Sequence, residues 1–254
     1  LSVGAMILGV LFIDIYGIII KFLGDAYSTN QVVLFRNLFA IIPLMTLIFY
    51  TNENLKIFKK TTKKFIILCF IRGQCFLFMN FFYFIAINNM DFATASTLTF
   101  SATFFIVILS IFFLNDKVGI YRWSAVIIGF AGVAMIMKPT SDVFSYYSIY
   151  PVMVALLYSI AIIILKFIPK HNSTAKIQFY SLISSIIGAV VLWAITFDTK
   201  FIQSYKDLLM LVSIGILGGS AGILFIYAYR LIEASKLAVF EYLAIPSSFL
   251  LGWF

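Results

Sequence analysis

Long apolar runs separated by short polar connections make up nearly the whole chain. They fall at about 1–23, 31–50, 65–87, 92–114, 121–137, 147–168, 175–197, 208–229 and 237–254. Each approaches the roughly 20 residues that a helix needs to cross the hydrocarbon core of a bilayer. None alternates apolar and polar positions with a period of two, which excludes an outer-membrane barrel. In lipid every backbone N–H and C=O must be satisfied internally, and helices are the remaining solution. The pattern predicts an all-α integral membrane protein with nine spans in these 254 residues. The connections average roughly nine residues, too short to hold a separate soluble domain.

Composition removes the competing classes. Hydrophobic residues are 63% of the chain and charged ones 11%, with a mean hydropathy of +1.08. A soluble domain carries roughly 25% charged residues, so this chain cannot cover a globule with polar surface. An ordinary cytosolic enzyme, a disordered chain and a nucleic-acid-binding domain are excluded. The net charge of +8 does not reopen the last of these, because the lysines cluster between apolar runs. Cys69 and Cys75 share one run, about 9 Å of helix rise apart, too far for a disulfide. His171 is the sole histidine and lies in a basic connection, so no metal site and no cofactor is predicted. No basic stretch precedes the first run and no small-residue cleavage motif follows it. That run therefore reads as a span and not as a signal peptide.

Basic residues alternate between the two sets of connections. One set carries twelve of them: Lys56, Lys59, Lys60, Lys63, Lys64, Lys117, Arg122, Lys166, Lys170, Lys176, Arg230 and Lys236. The other has four, Lys21, Lys138, Lys200 and Lys206. The positive-inside rule then puts the N-terminus in the cytoplasm.

The chain also repeats itself. At an offset of 145, Lys21-Phe22 falls on Lys166-Phe167, Ser28-Thr29 on Ser173-Thr174, and Phe35 on Tyr180. A weaker match at an offset near 143 sets the fourth run on the ninth, with Ala95 on Ala238 and Phe105 on Ser248. A unit of five helices crosses an odd number of times, so its copy enters the membrane from the other side. Such inverted-topology repeats are a mark of secondary carriers. The expected units are 1–139 and 140–254, the second ending within its fourth helix, with a tenth helix missing beyond Phe254.

The stretch from the third to the fifth helix carries a family resemblance. It reads Arg72, Asn89-Met90-Asp91-Phe92-Ala93-Thr94-Ala95, Leu98-Thr99-Phe100, Leu109-Ser110 and Leu114-Asn115-Asp116-Lys117-Val118-Gly119. Arg122-Trp123, Gly129-Phe130-Ala131-Gly132-Val133 and Met137-Lys138-Pro139 follow, and the ninth helix runs from Pro246 to Leu251-Gly252-Trp253-Phe254. This pattern resembles the EamA-type transporters of the drug/metabolite transporter superfamily. Two positions depart from it. Thr103 stands where the family usually has a proline that kinks the fourth helix, and Asp116 where Glu is common. The resemblance implies ten helices, both termini in the cytoplasm and a central cavity between two halves. It transfers no substrate.

Four ionisable groups lie inside apolar runs: Asp14, Arg36, Arg72 and Glu241. Each would cost roughly 2.5–3.5 kcal/mol at a helix centre, so the deeper ones should face an interior pathway or a partner. They sum to zero charge, which suits internal pairing. Asp14 and Arg72 lie at similar depth, near mid-membrane, and are candidates to pair in one state and separate in another. Arg36 is near enough to a helix end to snorkel and reads as a structural or interfacial charge. Ser159 is the repeat mate of Asp14, and Tyr16 and Tyr158 flank the same level. These complete the candidate solute or ion pathway, set against the simpler reading of hydrogen bonds within a packed helix interface. Hydroxyls in the fourth helix form two stripes, Thr94, Thr97 and Ser101, and Ser96, Thr99 and Thr103. Most should bond back to their own helix. Gly215, Gly218, Gly219 and Gly222 permit close helix approach.

The leading function is a secondary carrier, an exporter or exchanger of a small polar or amphipathic solute, with protons as a candidate partner. Asp14, ahead of Glu241, would be the titrating group. An accessory bundle such as a flippase subunit is the alternative, and an intramembrane enzyme the remaining one. The expected location is the inner membrane of a bacterium, multi-pass, with monomer or homodimer left open. Cysteine-accessibility labelling should find the 51–64 connection cytoplasmic and the 198–207 connection on the opposite side. Both on one side would contradict the loop-charge argument.

Overall fold

The computed structural model describes residues 2–52, 57, 61–116, 119–121, 123, 124, 127, 128, 131, 146–196 and 200–243. Among these the chain is helical, with no strand. The helices are α1 (Ser2–Leu23), α2 (Thr29–Phe39), α3 (Ile41–Tyr50), α4 (Lys63–Asn89), α5 (Phe92–Thr99) and α6 (Ala102–Leu114). They continue with α7 (Ile149–Phe167), α8 (Thr174–Thr196), α9 (Tyr205–Leu231) and the short α10 (Ala234–Ala238), which a 3-10 turn at Val239–Leu243 extends. Seven stretches are long and apolar enough to cross a membrane, with α2 and α3 counted as one and α5 and α6 nearly so. Most of the expected spans at 121–137 and 237–254 lies outside the described residues, as do Lys117, Arg122, Lys138 and Pro246 and the 139/140 boundary.

Local chemistry accounts for where the helices start and break. Ser28, Thr62 and Ser204 are N-caps, their side-chain oxygens accepting the backbone N–H of Gln31, Phe65 and Lys206. Pro43 has no N–H and crowds the carbonyl four residues back, and the helix breaks there, between α2 and α3 at Ala40. Asn115, with φ at 54°, ends α6 in the left-handed conformation. The fourth span is interrupted at Phe100 and Ser101 although Thr103 replaces the expected proline. Thr99 returns its hydroxyl to Ala95 O, the Phe100 N–H is shared between the carbonyls of Ser96 and Thr97, and Thr103 donates to Ala238 O outside its helix. Hydroxyls competing for backbone carbonyls loosen a helix in this way.

The packing follows an exchange between the two parts of the chain. The most extensive contacts are α1 on α9 and α4 on α7, followed by α4 on α8. The span α2–α3 packs in turn on α9. Helices α4 and α9 are both 27 residues long. Lipid supplies no hydrophobic force between helices, so contact has to come from close backbone approach. Gly73 of α4 sits against Ser181 O and Ser184 Cβ, and an added Cβ would come within 2.2 Å and 2.7 Å of them. Gly215 of α9 sits against Arg36 O and Phe39 Cβ, where an added Cβ would come within 3.0 Å and 2.3 Å. Ser181 and Ser184 are the residues that fall on Arg36 and Phe39 at the offset of 145, so the α8 and α2 sides of the two junctions correspond, while Gly73 falls on Gly218, one turn from Gly215. At one end of the bundle Lys166 Nζ donates to the carbonyls of Tyr229 and Ile232, closing the C-terminus of α9. The large exposed side chains, among them Phe22, Phe49, Phe112 and Ile195, cover the outer face.

Gly73→Ala must push a methyl into a backbone carbonyl, which cannot give as a side chain can. We expect a loss of about 1–3 kcal/mol, read as a lower melting temperature of the full-length protein in detergent. Gly215→Ala should behave alike. Gly4→Ala, where nothing lies within 4 Å, should not change it. Equal melting of Gly73→Ala and Gly4→Ala would remove the close approach as a determinant of the fold.

Candidate solute pathway

Helices from both parts enclose a cavity of about 120 Å³. Six of the seven candidate residues line it: Asp14, Tyr16, Arg36, Arg72, Tyr158 and Glu241. The seventh, Ser159, is fully buried and donates to Ala155 O at 2.6 Å and Ala102 O at 3.1 Å. The second of these ties α7 to α6. Of the hydroxyl stripes, Ser96 and Thr99 reach the cavity wall.

The charged groups sort into two neighbourhoods. Asp14 and Arg36 both act on Tyr16, whose ring meets that of Tyr83 edge-on at 6.1 Å between centroids. Arg36 is buried and does not snorkel. It donates from Nη1 to Asn37 Oδ1 at 3.0 Å and from Nη2 to Gly218 O at 3.3 Å, so it links α2 to α9. Ser185 of α8 donates to the same Asn37 oxygen at 3.2 Å.

The second neighbourhood joins α4, α7, α9 and the 3-10 turn. Glu241 Oε1 accepts from Tyr158 at 2.7 Å and from Tyr229 at 2.5 Å. The Tyr158 ring meets Phe76 at 6.4 Å and Phe225 at 6.0 Å, both edge-on. Arg72 is 1% exposed and stacks its guanidinium over Phe76, 4.6 Å from the ring centre. Asp14 and Arg72, expected to pair in one state and separate in another, are apart in this conformation, for Arg72 makes no ion pair among the described residues. Depth placed the two together, but α1 packs mainly on α9 and α4 on α7 and α8.

Beside the charges and hydroxyls that the sequence singles out stand amides and two further phenols, Tyr83 in the cavity wall being one. Asn37 and Gln178 are buried in the cavity wall, and Tyr229 completes the Glu241 site. The signal was present: an amide inside an apolar run must also find a partner, and a buried tyrosine hydroxyl usually does. Among the described residues no group of His, Cys, Asp and Glu could hold a metal ion.

A bundle of apolar spans gathers charges, phenols and amides around one cavity, in a multi-pass membrane protein. The chain belongs to the EamA-like transporter family, whose model matches residues 1–138. It is 27% identical to an S-adenosylmethionine uptake transporter of Rickettsia felis over 92% of this chain and 77% of that protein. A riboflavin transporter of Rhizobium johnstonii is 29% identical over 63% of this chain and 52% of its own. A crystal structure of a protein at 16% identity superposes with a TM-score of 0.75 over 98% of this chain and 86% of its own, a likeness of fold alone. With relatives that are named transporters, the chain is a transporter and not an enzyme.

Tyr229→Phe and Tyr158→Phe should each destabilise the full-length protein by about 0.6–1.7 kcal/mol, the range for side-chain hydrogen bonds within membranes. Tyr227→Phe, on the same helix but 40% exposed, should not. Thermal unfolding in detergent compares the three, and equal melting would dissolve the Glu241 site as a structural unit.

Proposed function

We propose that the protein is a secondary carrier that moves a small organic metabolite by alternating access through the central cavity. In this reading residues 1–139 and 140–254 are inverted-topology repeats, the N-terminus is cytoplasmic and the membrane is a bacterial inner membrane. Matched helix lengths and the exchanged packing of α1 on α9 and α4 on α7 support the repeat. The observation that carries the function is the cavity itself. All four ionisable groups of the apolar runs line its wall, where a charge has a use that repays its burial.

S-Adenosylmethionine is the first cargo to test, and uptake the first direction, by the names of the Rickettsia relatives. The molecule combines an aromatic base, a cationic centre and a carboxylate, and the cavity offers aromatic rings, acids and arginines. Proton coupling is assigned to Asp14 ahead of Glu241. Two phenols already hold Glu241 Oε1.

The experiment is uptake of radiolabelled S-adenosylmethionine into proteoliposomes holding the full-length protein, with and without an acid exterior. Accumulation above empty liposomes is expected, faster with the gradient, and Asp14→Asn should lose that acceleration. No accumulation would reject this cargo. Accumulation indifferent to the gradient would reject the proton and leave exchange against an internal solute.

A further inference from the structure

The charged groups of the cavity wall are not equally provided for. Arg36 is held by Asn37 and Gly218, Glu241 by Tyr158 and Tyr229. Asp14 has interactions of its own. Arg72 goes furthest: it is 1% exposed, yet both its Nε and its Nη2 have no hydrogen-bond partner, whereas Arg36 leaves only its Nε unmet and keeps Nη1 and Nη2 bonded. Leaving a buried charged donor unsatisfied is costly. A cation–π contact with Phe76 stabilises the face of the guanidinium but does nothing for its N–H groups. Nε and Nη2 form one edge of the planar fork, and that edge matches the two oxygens of a carboxylate.

The surroundings say what kind of molecule carries that carboxylate. Phe76 lies under Arg72, Tyr158 meets Phe76, and Phe225 meets Tyr158. Beyond Tyr158 stands Glu241, whose Oε2 has no hydrogen bond among the described residues. A cationic pole and an acidic pole are thus separated by aromatic rings. We propose that Arg72 is the carboxylate-recognition residue of the cavity, binding bidentately to an amphoteric cargo whose ring lies among Phe76, Tyr158 and Phe225. The proposal rests on the carrier reading, and its test keeps the two apart.

Two probe pairs differ in the anionic group: S-adenosylmethionine against its decarboxylated form, and benzoate against benzamide. Binding to the full-length protein is read as the shift in melting temperature over a concentration series. Wild type should prefer the carboxylate of each pair by about tenfold, the equivalent of one good charge-assisted bond. Arg72→Gln should lose that preference, and Arg72→Lys, which keeps the charge without the fork, should fall between. Without ligand, Arg72→Gln should melt no lower than wild type, because it removes a charge that has no partner. A benzoate preference that Arg72→Gln abolishes, without S-adenosylmethionine binding, would support Arg72 and reject the cargo. Wild type without preference in either pair, or an unchanged preference in Arg72→Gln, would overturn the role of Arg72. So would a marked loss of stability in Arg72→Gln with Arg72→Lys discriminating as wild type does. In each of those cases S-adenosylmethionine uptake still reports separately on the carrier.

Discussion

The fold depends on close backbone approach at glycines of two helix junctions, α4 on α8 and α9 on α2–α3. At Gly73 the carbonyl of Ser181 enters the space a methyl would occupy, and at Gly215 the carbonyl of Arg36 approaches as closely as a Cβ would allow. In a lipid solvent this shape match takes the place of hydrophobic burial. The rest is carried by it. Arg36 presents its carbonyl to Gly215 while its guanidinium reaches Gly218 one turn along the same helix, so seating α2 on α9 also places a charge in the cavity wall. Gln74, next to Gly73, reaches the Ser184 carbonyl at 2.7 Å and its hydroxyl at 2.9 Å, adding polar bonds to the other junction.

Around that frame the cavity separates polar groups that hold the structure from those that remain available. Arg36, Asn37 and Ser185 form a network between α2, α8 and α9 that leaves Arg36 Nε and Asn37 Nδ2 without a partner. Tyr158, Tyr229 and Glu241 form another between α7, α9 and the 3-10 turn. In a low-dielectric interior such networks are strong when complete and costly when a member is missing. Arg72 stands outside both, with a ring for company and donors to spare.

Much of this was legible in the chain. Long apolar runs located the described spans, and the four charged residues within them, with Tyr16 and Tyr158 at the same level, named six of the groups that line the cavity. Sequence also carried the offset of 145 that recurs in the glycine contacts. What it withheld was direction around each helix axis. Asp14 and Arg72 share a depth, which counting residues reveals, but their helices turn toward different neighbours, which counting does not. The interruption at Phe100 was hidden because it needs no proline, only hydroxyls at Thr99 and Thr103 that bond elsewhere. Glu241 drew attention by its charge, while Tyr229, twelve residues earlier, was one aromatic among many until the fold set both on Tyr158.

The exchanged packing has a consequence for how the molecule is made. Among the described residues, α1, α2, α3 and α4 touch one another sparingly and rely on α7, α8 and α9 for their neighbours. The partner of α1 is translated nearly two hundred residues after it. The early spans therefore enter the bilayer as separate helices, each with its backbone satisfied but no core to join. They stay in that condition until the later spans arrive. Contacts so distant in sequence make assembly slow, and Arg36 spends the interval in the membrane without the Gly218 carbonyl that later accepts from it. Biogenesis, more than the finished structure, is where that arginine is most expensive.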